Sequence, residues 1–201
     1  MLSKNKVTLS TNGILYKNDR PGLIPSILEK WFDERVEFRK LSKKYAEEGD
    51  TQKHIFFDKR QHVQKIMLNS LYGALGLPVF RFFDLDNAEA VTTCGQELIK
   101  YTQKMANYYY NNELGDKEKY VIYTDTDSIF LSAIPLVKHR NPAADLTDDK
   151  YMTKEILSVT SEVQDFLNES YDVFAKRFLN CDKHRFDIKQ EVISRSAFWV
   201  T

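Results

Sequence analysis

Two aspartates stand one residue apart at what the sequence predicts to be a tight turn between two strands. The segment from Tyr120 to Phe130 reads Tyr-Val-Ile-Tyr-Thr-Asp-Thr-Asp-Ser-Ile-Phe, with β-forming residues on both sides of Asp125 and Asp127. Two carboxylates held this close resist joint ionisation unless a cation neutralises them, and hard oxygen ligands favour Mg²⁺. An Asp-Thr-Asp sequence also fits an ordinary exposed hairpin, so the motif alone leaves both interpretations open.

A second group of polar side chains falls on one stripe of a predicted helix. Lys65, Asn69 and Tyr72 follow one another at intervals of four and three residues, which places them on one helical face. A lysine can meet a polyphosphate as a point charge, an amide can hydrogen-bond, and a tyrosine ring can pack against a sugar or a base. This face therefore has the chemistry of a binding surface.

Two arginines on the preceding predicted helix favour the same kind of ligand. Arg35 and Arg39 are four residues apart and share a face. If the two helices present these faces to one ligand, Arg35, Arg39 and Lys65 bring three positive charges to it, as a polyphosphate requires. The alternative is that the three cations are solvated and paired with nearby carboxylates, for which the candidates are Glu34, Glu37 and Asp58.

The hydrophobic pattern predicts an α+β fold, in which an antiparallel helical hairpin precedes an antiparallel sheet with helices packed on one face. Asn12-Gly13 predicts a turn between two short apolar stretches. Helical spacing runs over residues 24–48, after which Gly49 fits a C-terminal cap. A second helical pattern runs over 52–73, where Gly73 ends it. Further along, the pattern predicts a loop with an extended stretch near 78–83, a helix over 87–112, the acidic hairpin over 119–133, a loop over 135–149, a helix over 149–178, and strands over 185–193 and 197–200.

The composition is that of a soluble globular protein. Of 201 residues, 42% are apolar and 29% are charged, and no apolar run has the length of a membrane span or signal core, which predicts a cytoplasmic protein. Neither the two cysteines nor the four histidines show metal-ligand spacing. The net charge is zero, but residues 30–65 hold ten basic and seven acidic side chains, whereas residues 141–172 hold two and eight. One region could therefore face phosphates while another faces water.

Taken together, the motifs resemble those of the family B, α-like, DNA polymerases, and most of all the T4-like phage branch. Lys-x-x-x-Asn-Ser-x-Tyr-Gly, which begins at Lys65, is followed about fifty residues later by Tyr-x-Asp-Thr-Asp-Ser. Flanking segments of the family are resembled by residues 20–25, 82–88 and 198–201. The resemblance implies a lead-in at 1–22, a helical hairpin called the fingers at 23–73, and part of the palm at 74–201.

The resemblance also implies a metal site and a reaction. Asp127 would be a direct ligand of two catalytic Mg²⁺ ions, Asp125 a supporting carboxylate and Glu191 a looser match to an acidic position near the metals. The expected reaction is template-directed addition of a dNTP to a primer 3′ end by two-metal phosphoryl transfer. A solvent-facing glutamate remains the alternative for Glu191.

Nucleotide and template contacts follow from the same motifs. The incoming dNTP would be held by the side chains of Arg35, Arg39, Lys65, Asn69 and Tyr72. Gly73, Tyr123 and Thr124 would contact the template or primer, with Thr124 standing where the family usually has glycine.

Several parts of the family pattern have no match in this sequence. We find no Asp-x-x-Ser-Leu-Tyr-Pro motif to supply the second metal-binding aspartate, and no Lys-Lys-x-Tyr element, thumb or exonuclease domain. We therefore expect the chain to be inactive alone and to act on primer–template DNA with other polymerase fragments that bring these parts. A sliding clamp is a further expected partner, no membrane is expected, and a viral chain would work in the host cytoplasm.

The sequence leaves three origins open: a split subunit, a truncated reading frame, or a remnant that serves as a non-catalytic DNA-binding or replisome scaffold. The intact Asp125, Asp127, Lys65 and Asn69 favour the first two, because a remnant has no need of them. A reverse transcriptase is disfavoured, since its paired aspartates are adjacent.

Overall fold

The computed structural model describes residues 6–198, and within them it contains five helices and two antiparallel β-hairpins. This confirms the predicted α+β class. Of the strand predicted at 197–200, residues 199 and 200 lie outside the described residues, and 197 and 198 are not in a strand. The first hairpin joins β1 (Val7–Leu9) to β2 (Leu15–Lys17). Gly13 lies in its turn with φ +90°, a conformation that glycine adopts without steric cost. The turn predicted at Asn12-Gly13 is confirmed.

A pair of long antiparallel helices forms the next unit, α1 (Leu23–Glu47) and α2 (Thr51–Leu75). Gly49 adopts φ +75° just after α1, and the Asp50 side chain caps α2 by accepting from the Lys53 N–H at 3.0 Å. Between the helices, Tyr45 stacks on Phe57 with ring centroids 5.5 Å apart. The helical hairpin is thus confirmed, although α2 continues two residues past Gly73.

The third helix, α3 (Leu85–Leu114), begins two residues earlier than expected because Asp84 is its N-cap. The Asp84 carboxylate accepts from the Asn87 N–H at 3.1 Å. Between α2 and α3, the extended stretch predicted near 78–83 is wrong. The backbone there forms consecutive turns, with Phe80 N–H donating to the Leu77 carbonyl and Phe83 N–H donating to the Phe80 carbonyl, each at 2.9 Å.

After α3 the chain forms β3 (Val121–Asp125), β4 (Ser128–Leu131), α4 (Ile134–Arg140) and α5 (Asp149–Phe178). The boundaries of α5 are as predicted, but α4 was expected to be a loop. Pro135 caused this error, because proline fits the first turn of a helix as well as it fits a loop. One buried core joins α3, β3, α4 and α5, and its members include Ala106, Tyr110, Val121, Leu136, Val137, Met152, Val159, Val163 and Leu167.

An ion pair fastens α4 to α5 at the rim of this core. The two terminal nitrogens of Arg140 donate to the two Glu162 oxygens at 2.7 and 2.8 Å. This fork holds the pKa of the Glu162 carboxyl below its usual range, even though partial burial opposes the shift. The contact is solvent-facing, so it orients α4 more than it stabilises it.

After α5 the chain runs back along the helix without forming a strand, so the strand predicted over 185–193 is wrong. The Asn168 side chain accepts from the Ile188 N–H at 2.9 Å and donates to the Ile188 carbonyl at 3.0 Å. One turn earlier, Gln164 accepts from the Gln190 N–H at 2.9 Å. Side-chain amides of a helix therefore satisfy a backbone that the alternating pattern had assigned to a sheet.

Among the described residues, no helix has both the length and the hydropathy needed to cross a lipid bilayer.

Candidate active site

The two aspartates stand at the tip of the β3–β4 hairpin. Asp125 pairs with Ser128 across the ladder, so Thr126 and Asp127 form a two-residue turn. Thr126 adopts φ +44°, which is unfavourable for a β-branched residue and stores strain at the turn. Both carboxylates are exposed. The sequence thus predicted the turn and its acidic tip correctly.

Hydrogen bonds within the turn treat the two aspartates differently. Thr126 Oγ1 donates to Asp125 Oδ1 at 3.0 Å, and Ser128 Oγ donates to the Asp125 carbonyl at 3.1 Å. In the part of the chain that the structure describes, no donor reaches the carboxylate of Asp127. Its two oxygens are open to an external ligand, whereas Asp125 is partly engaged.

Tyr123 and Thr124, the predicted primer or template contacts, lie half-buried on β3 directly before the tip. The Tyr123 ring packs on Phe130 of β4 with centroids 5.9 Å apart. Thr124 pairs with Ile129. These side chains stiffen the strand that carries the aspartates.

The third acidic residue of the predicted metal site does not gather with the other two. Glu191 is exposed on the segment that follows α5. Within residues 6–198 no group of three or more His, Cys, Asp or Glu side chains is placed to hold a metal ion. The donor chemistry of Asp125 and Asp127 fits a hard divalent cation, but the described residues supply an incomplete set of ligands.

The helical hairpin brings two of the predicted cations, Arg35 and Lys65, to neighbouring heights. Gln64 Nε2 donates to a Glu34 carboxylate oxygen, and the next residues along the two helices are Lys65 and Arg35. This contact fixes the register of α1 against α2, so Arg35 and Lys65 lie at neighbouring heights, with Arg39 one turn along α1. We call Arg35, Arg39 and Lys65 the cationic flank.

The alternative interpretation of the sequence was that these cations pair with nearby carboxylates. The structure does not contain such ion pairs among the described residues. Among residues 6–198, none of the three has an ion-pair partner within 4.0 Å. The Nε of Arg35 is buried without a hydrogen-bond acceptor, and so is Gln64 Oε1 without a donor. The positive charge of this flank is therefore left uncompensated by the described chain.

Another face of α2, together with Phe38 of α1, forms a mainly apolar depression that also contains Lys59 and Arg60. This depression is open, has a volume of about 420 Å³ and is also lined by Val63. A helix turns by about 100° per residue, so Val63 and Lys65 point about 200° apart. Lys59 is thus an exposed lysine of the same helix that faces away from the cationic flank.

The stripe that begins at Lys65 continues along α2 with Asn69, Tyr72 and Gly73. Asn69 is exposed, and Tyr72 is 37% exposed. A Cβ on Gly73 would meet no atom within 4 Å, although glycine inside a helix costs about 1 kcal/mol relative to alanine. Nothing in this chain's own packing requires glycine at this position.

The sequence profile of DNA polymerase family B matches residues 2–186. This chain belongs to DNA polymerase family B. The match spans the helical hairpin, the acidic hairpin and the helices around them, so the family's profile and the geometry cover the same elements.

The curated relatives of this family B chain include phage and archaeal proteins. A DNA-directed DNA polymerase of Escherichia phage RB69 is 29% identical over 64% of this chain and 20% of its own length. A DNA polymerase of Thermococcus gorgonarius is 30% identical over 89% of this chain and 21% of its own length. A DNA-directed DNA polymerase of Enterobacteria phage T4 is 44% identical over 34% of this chain and 8% of its own length. The chain thus spans about a fifth of the length of the first two relatives.

One anchor of the acidic hairpin in this family B chain was missed by sequence reasoning. Asn107 of α3 accepts hydrogen bonds from the backbone N–H groups of Tyr120 and Val121 at 2.7 and 3.1 Å. Asn107 stands between Ala106 and Tyr108 of α3, and neither neighbour marks it as an anchor. No sequence signal could have found it, because the contact joins residues 13 and 14 positions apart across a turn.

Proposed function

We propose that this chain forms the fingers and part of the palm of a DNA-directed DNA polymerase that adds dNTPs to a primer 3′ end. The observation that carries the proposal is the exposed Asp127 carboxylate at the tip of a strained two-residue turn, in a chain of DNA polymerase family B. In this role Asp127 is a metal anchor and not a nucleophile. Asp125 supports it from the last position of β3.

The fingers supply the nucleotide contacts in this proposal. The cationic flank faces the triphosphate, and Asn69 adds a hydrogen bond. Three positive charges without ion-pair partners among the described residues, two of them at neighbouring heights, support this assignment, because a polyphosphate can offset their mutual repulsion. Tyr72 and Gly73 then meet the nascent base pair, and the empty space over Gly73 supports the close approach of a template strand.

The metal requirement fits the chemistry of the donors but not their number. Two Mg²⁺ ions, when bound, would activate the primer 3′ hydroxyl and stabilise charge on the leaving pyrophosphate. Asp125 and Asp127 would hold them, with Glu191 as a supporting carboxylate once the palm is assembled. We infer that a further carboxylate comes from a polymerase segment outside these 201 residues.

Manganese line broadening tests the metal assignment directly, since paramagnetic Mn²⁺ replaces Mg²⁺ at oxygen sites. We expect Mn²⁺ titrated into the ¹⁵N-labelled chain to broaden the amides of residues 125–128 first, and Asp127→Ala to abolish this. Asp182→Ala, at an exposed aspartate outside the hairpin, is the matched control and should change nothing. Equal broadening in wild type and Asp127→Ala would contradict the proposal and favour a non-catalytic DNA-binding or scaffold role.

Primer extension tests the inferred incompleteness of the site. The purified chain alone should not extend a primer–template with dNTPs and Mg²⁺, because a site with half of its carboxylates binds the metals poorly. Extension by the isolated chain that is lost in Asp127→Ala would show that these residues form a complete centre.

A further inference from the structure

The acidic hairpin cannot fix its own position in the molecule. Its ladder joins β3, of five residues, to β4, of four. An isolated two-stranded hairpin of this size is at best marginally stable in water. The bonds between β3 and β4 also say nothing about where the pair stands relative to α3. The orientation of the tip is therefore set by contacts with the rest of the fold, which are the packing of Ile129 and Leu131 on the core and the hydrogen bonds at the base of the hairpin.

Asn107 makes the directional contact at that base. Its Oδ1 accepts from the N–H groups of Tyr120 and Val121, at 2.7 and 3.1 Å, and its Nδ2 donates to the Gln103 carbonyl of its own helix at 3.1 Å. The amide is thus held by α3 on one side and holds the start of β3 on the other. Few side chains other than Asn can accept twice and donate in this way.

Apolar packing at the same junction stabilises it without setting its direction. Tyr110 of α3 stacks on Tyr120 with ring centroids 4.9 Å apart. Stacked rings can slide over each other at little cost, whereas two hydrogen bonds to adjacent N–H groups fix both height and angle. The ladder becomes irregular directly after the anchor, where Ile122 is an extra residue between paired Val121 and Tyr123.

We propose that Asn107 is the positioning residue that sets where the Asp125 and Asp127 carboxylates stand, a role that rests on the proposed function of this hairpin as a metal site. β3 rises about 3.3 Å per residue, so the tip lies about 13 Å from the anchor. A tilt of about 5° at Val121 moves the tip by about 1 Å over that length. Metal sites tolerate errors of about 0.2 Å in ligand distance. A small change in the angle that Asn107 sets at the base of β3 thus becomes a large displacement of the two carboxylates.

Three substitutions separate positioning from general stability. Asn107→Leu removes the acceptor with little change in volume, Asn107→Asp keeps an oxygen that accepts from both N–H groups, and Asn111→Leu changes the same residue type one turn later. Asn111 is the matched control because its side-chain oxygen, although buried, accepts no hydrogen bond among the described residues. All three are compared by circular dichroism and thermal melting before any other measurement.

Two readouts on the full chain test the proposal. In Asn107→Leu, amide hydrogen exchange at Tyr120 and Val121 should accelerate at least about tenfold, and the Mn²⁺ concentration that broadens residues 125–128 should rise about tenfold. Asn107→Asp should keep the slow exchange and most of the Mn²⁺ affinity, and Asn111→Leu should match wild type in both.

Unchanged exchange and Mn²⁺ response in Asn107→Leu would overturn the proposal, and so would equal losses in Asn107→Leu and Asn111→Leu. If Asn107→Leu does not fold, Asn107→Asp decides: fast exchange at Tyr120 and Val121 in that folded variant overturns the proposal. If Asp127→Ala leaves the Mn²⁺ broadening of wild type intact, the proposed function fails. The exchange rates then still decide whether Asn107 holds the hairpin.

Discussion

Replacing Lys65 by alanine will weaken binding of a Mg²⁺-complexed dNTP to this chain by about tenfold to a hundredfold. A charge-assisted hydrogen bond to phosphate contributes about 1.5–3 kcal/mol, and Lys65 has no ion-pair partner within residues 6–198 that could compete for it. Lys65 is exposed, and the Gln64–Glu34 contact places it at a height next to that of Arg35. Isothermal titration with dATP, repeated at two salt concentrations, measures the loss and its electrostatic origin.

Lys59→Ala is the control for this experiment, because it removes the same charge from the same helix. Lys59 lines the mainly apolar depression on another face of α2, so its loss should leave the dissociation constant within a factor of about two, as for an exposed charge beyond a screening length. Equal weakening by the two substitutions would mean that the nucleotide responds only to net charge. The cationic flank would then not be a nucleotide site.

Replacing Leu136 by alanine will lower the free energy of unfolding by about 3 kcal/mol and the melting temperature by about 10 °C. Leu136 is 0% exposed in the core between α3, α4 and α5, and a buried Leu→Ala change costs about 2–5 kcal/mol because it leaves a cavity. For a chain of this size, each kcal/mol corresponds to about 2–4 °C. Urea unfolding followed by far-ultraviolet circular dichroism measures the change.

Leu157→Ala provides the comparison, since Leu157 is 46% exposed on α5. We expect it to change the unfolding free energy by less than about 0.5 kcal/mol, as for most surface substitutions. A similar loss in both variants would show that α4 does not pack as described, and that its leucine contributes only through helix propensity.

The helices and turns with strong local signals could be predicted from the sequence, and those that depend on partners could not. Gly49 marks the end of α1 through its own chemistry, and the apolar stripe of α5 was enough to predict its bounds. The helix at α4 was missed because Pro135 is compatible with two structures, and only the burial of Leu136 and Val137 decides between them. The segment at 185–193 alternates like a strand, yet its hydrogen-bond partners are the side chains of Gln164 and Asn168, which no local pattern encodes.

The candidate site divides in the same way. Asp125, Asp127 and the Lys65 stripe are visible because residue type and spacing carry their chemistry. The contribution of Gln64 is different: it sets the height of Lys65 against Arg35 through a contact with Glu34 on another helix. Likewise Asn107 of α3 binds the backbone N–H groups of Tyr120 and Val121, which come after the end of its helix. Candidate chemical groups can be proposed from residue type and spacing, whereas the groups that orient them needed the fold.

Exposed ion pairs join the helical hairpin to the segment that follows α5. Arg185 reaches from the segment after α5 to Glu29 and Asp33 of α1, and all three side chains are more than half exposed. Exposed pairs of this kind contribute at most about 1 kcal/mol each, and in the described part of the chain no residue of α1 or α2 belongs to the central core cluster. This contact between α1 and the segment after α5 therefore depends on salt-sensitive ion pairs and on Arg185 lying over the Phe32 ring, and it involves none of the described residues of the central core cluster. Raising the ionic strength should weaken it.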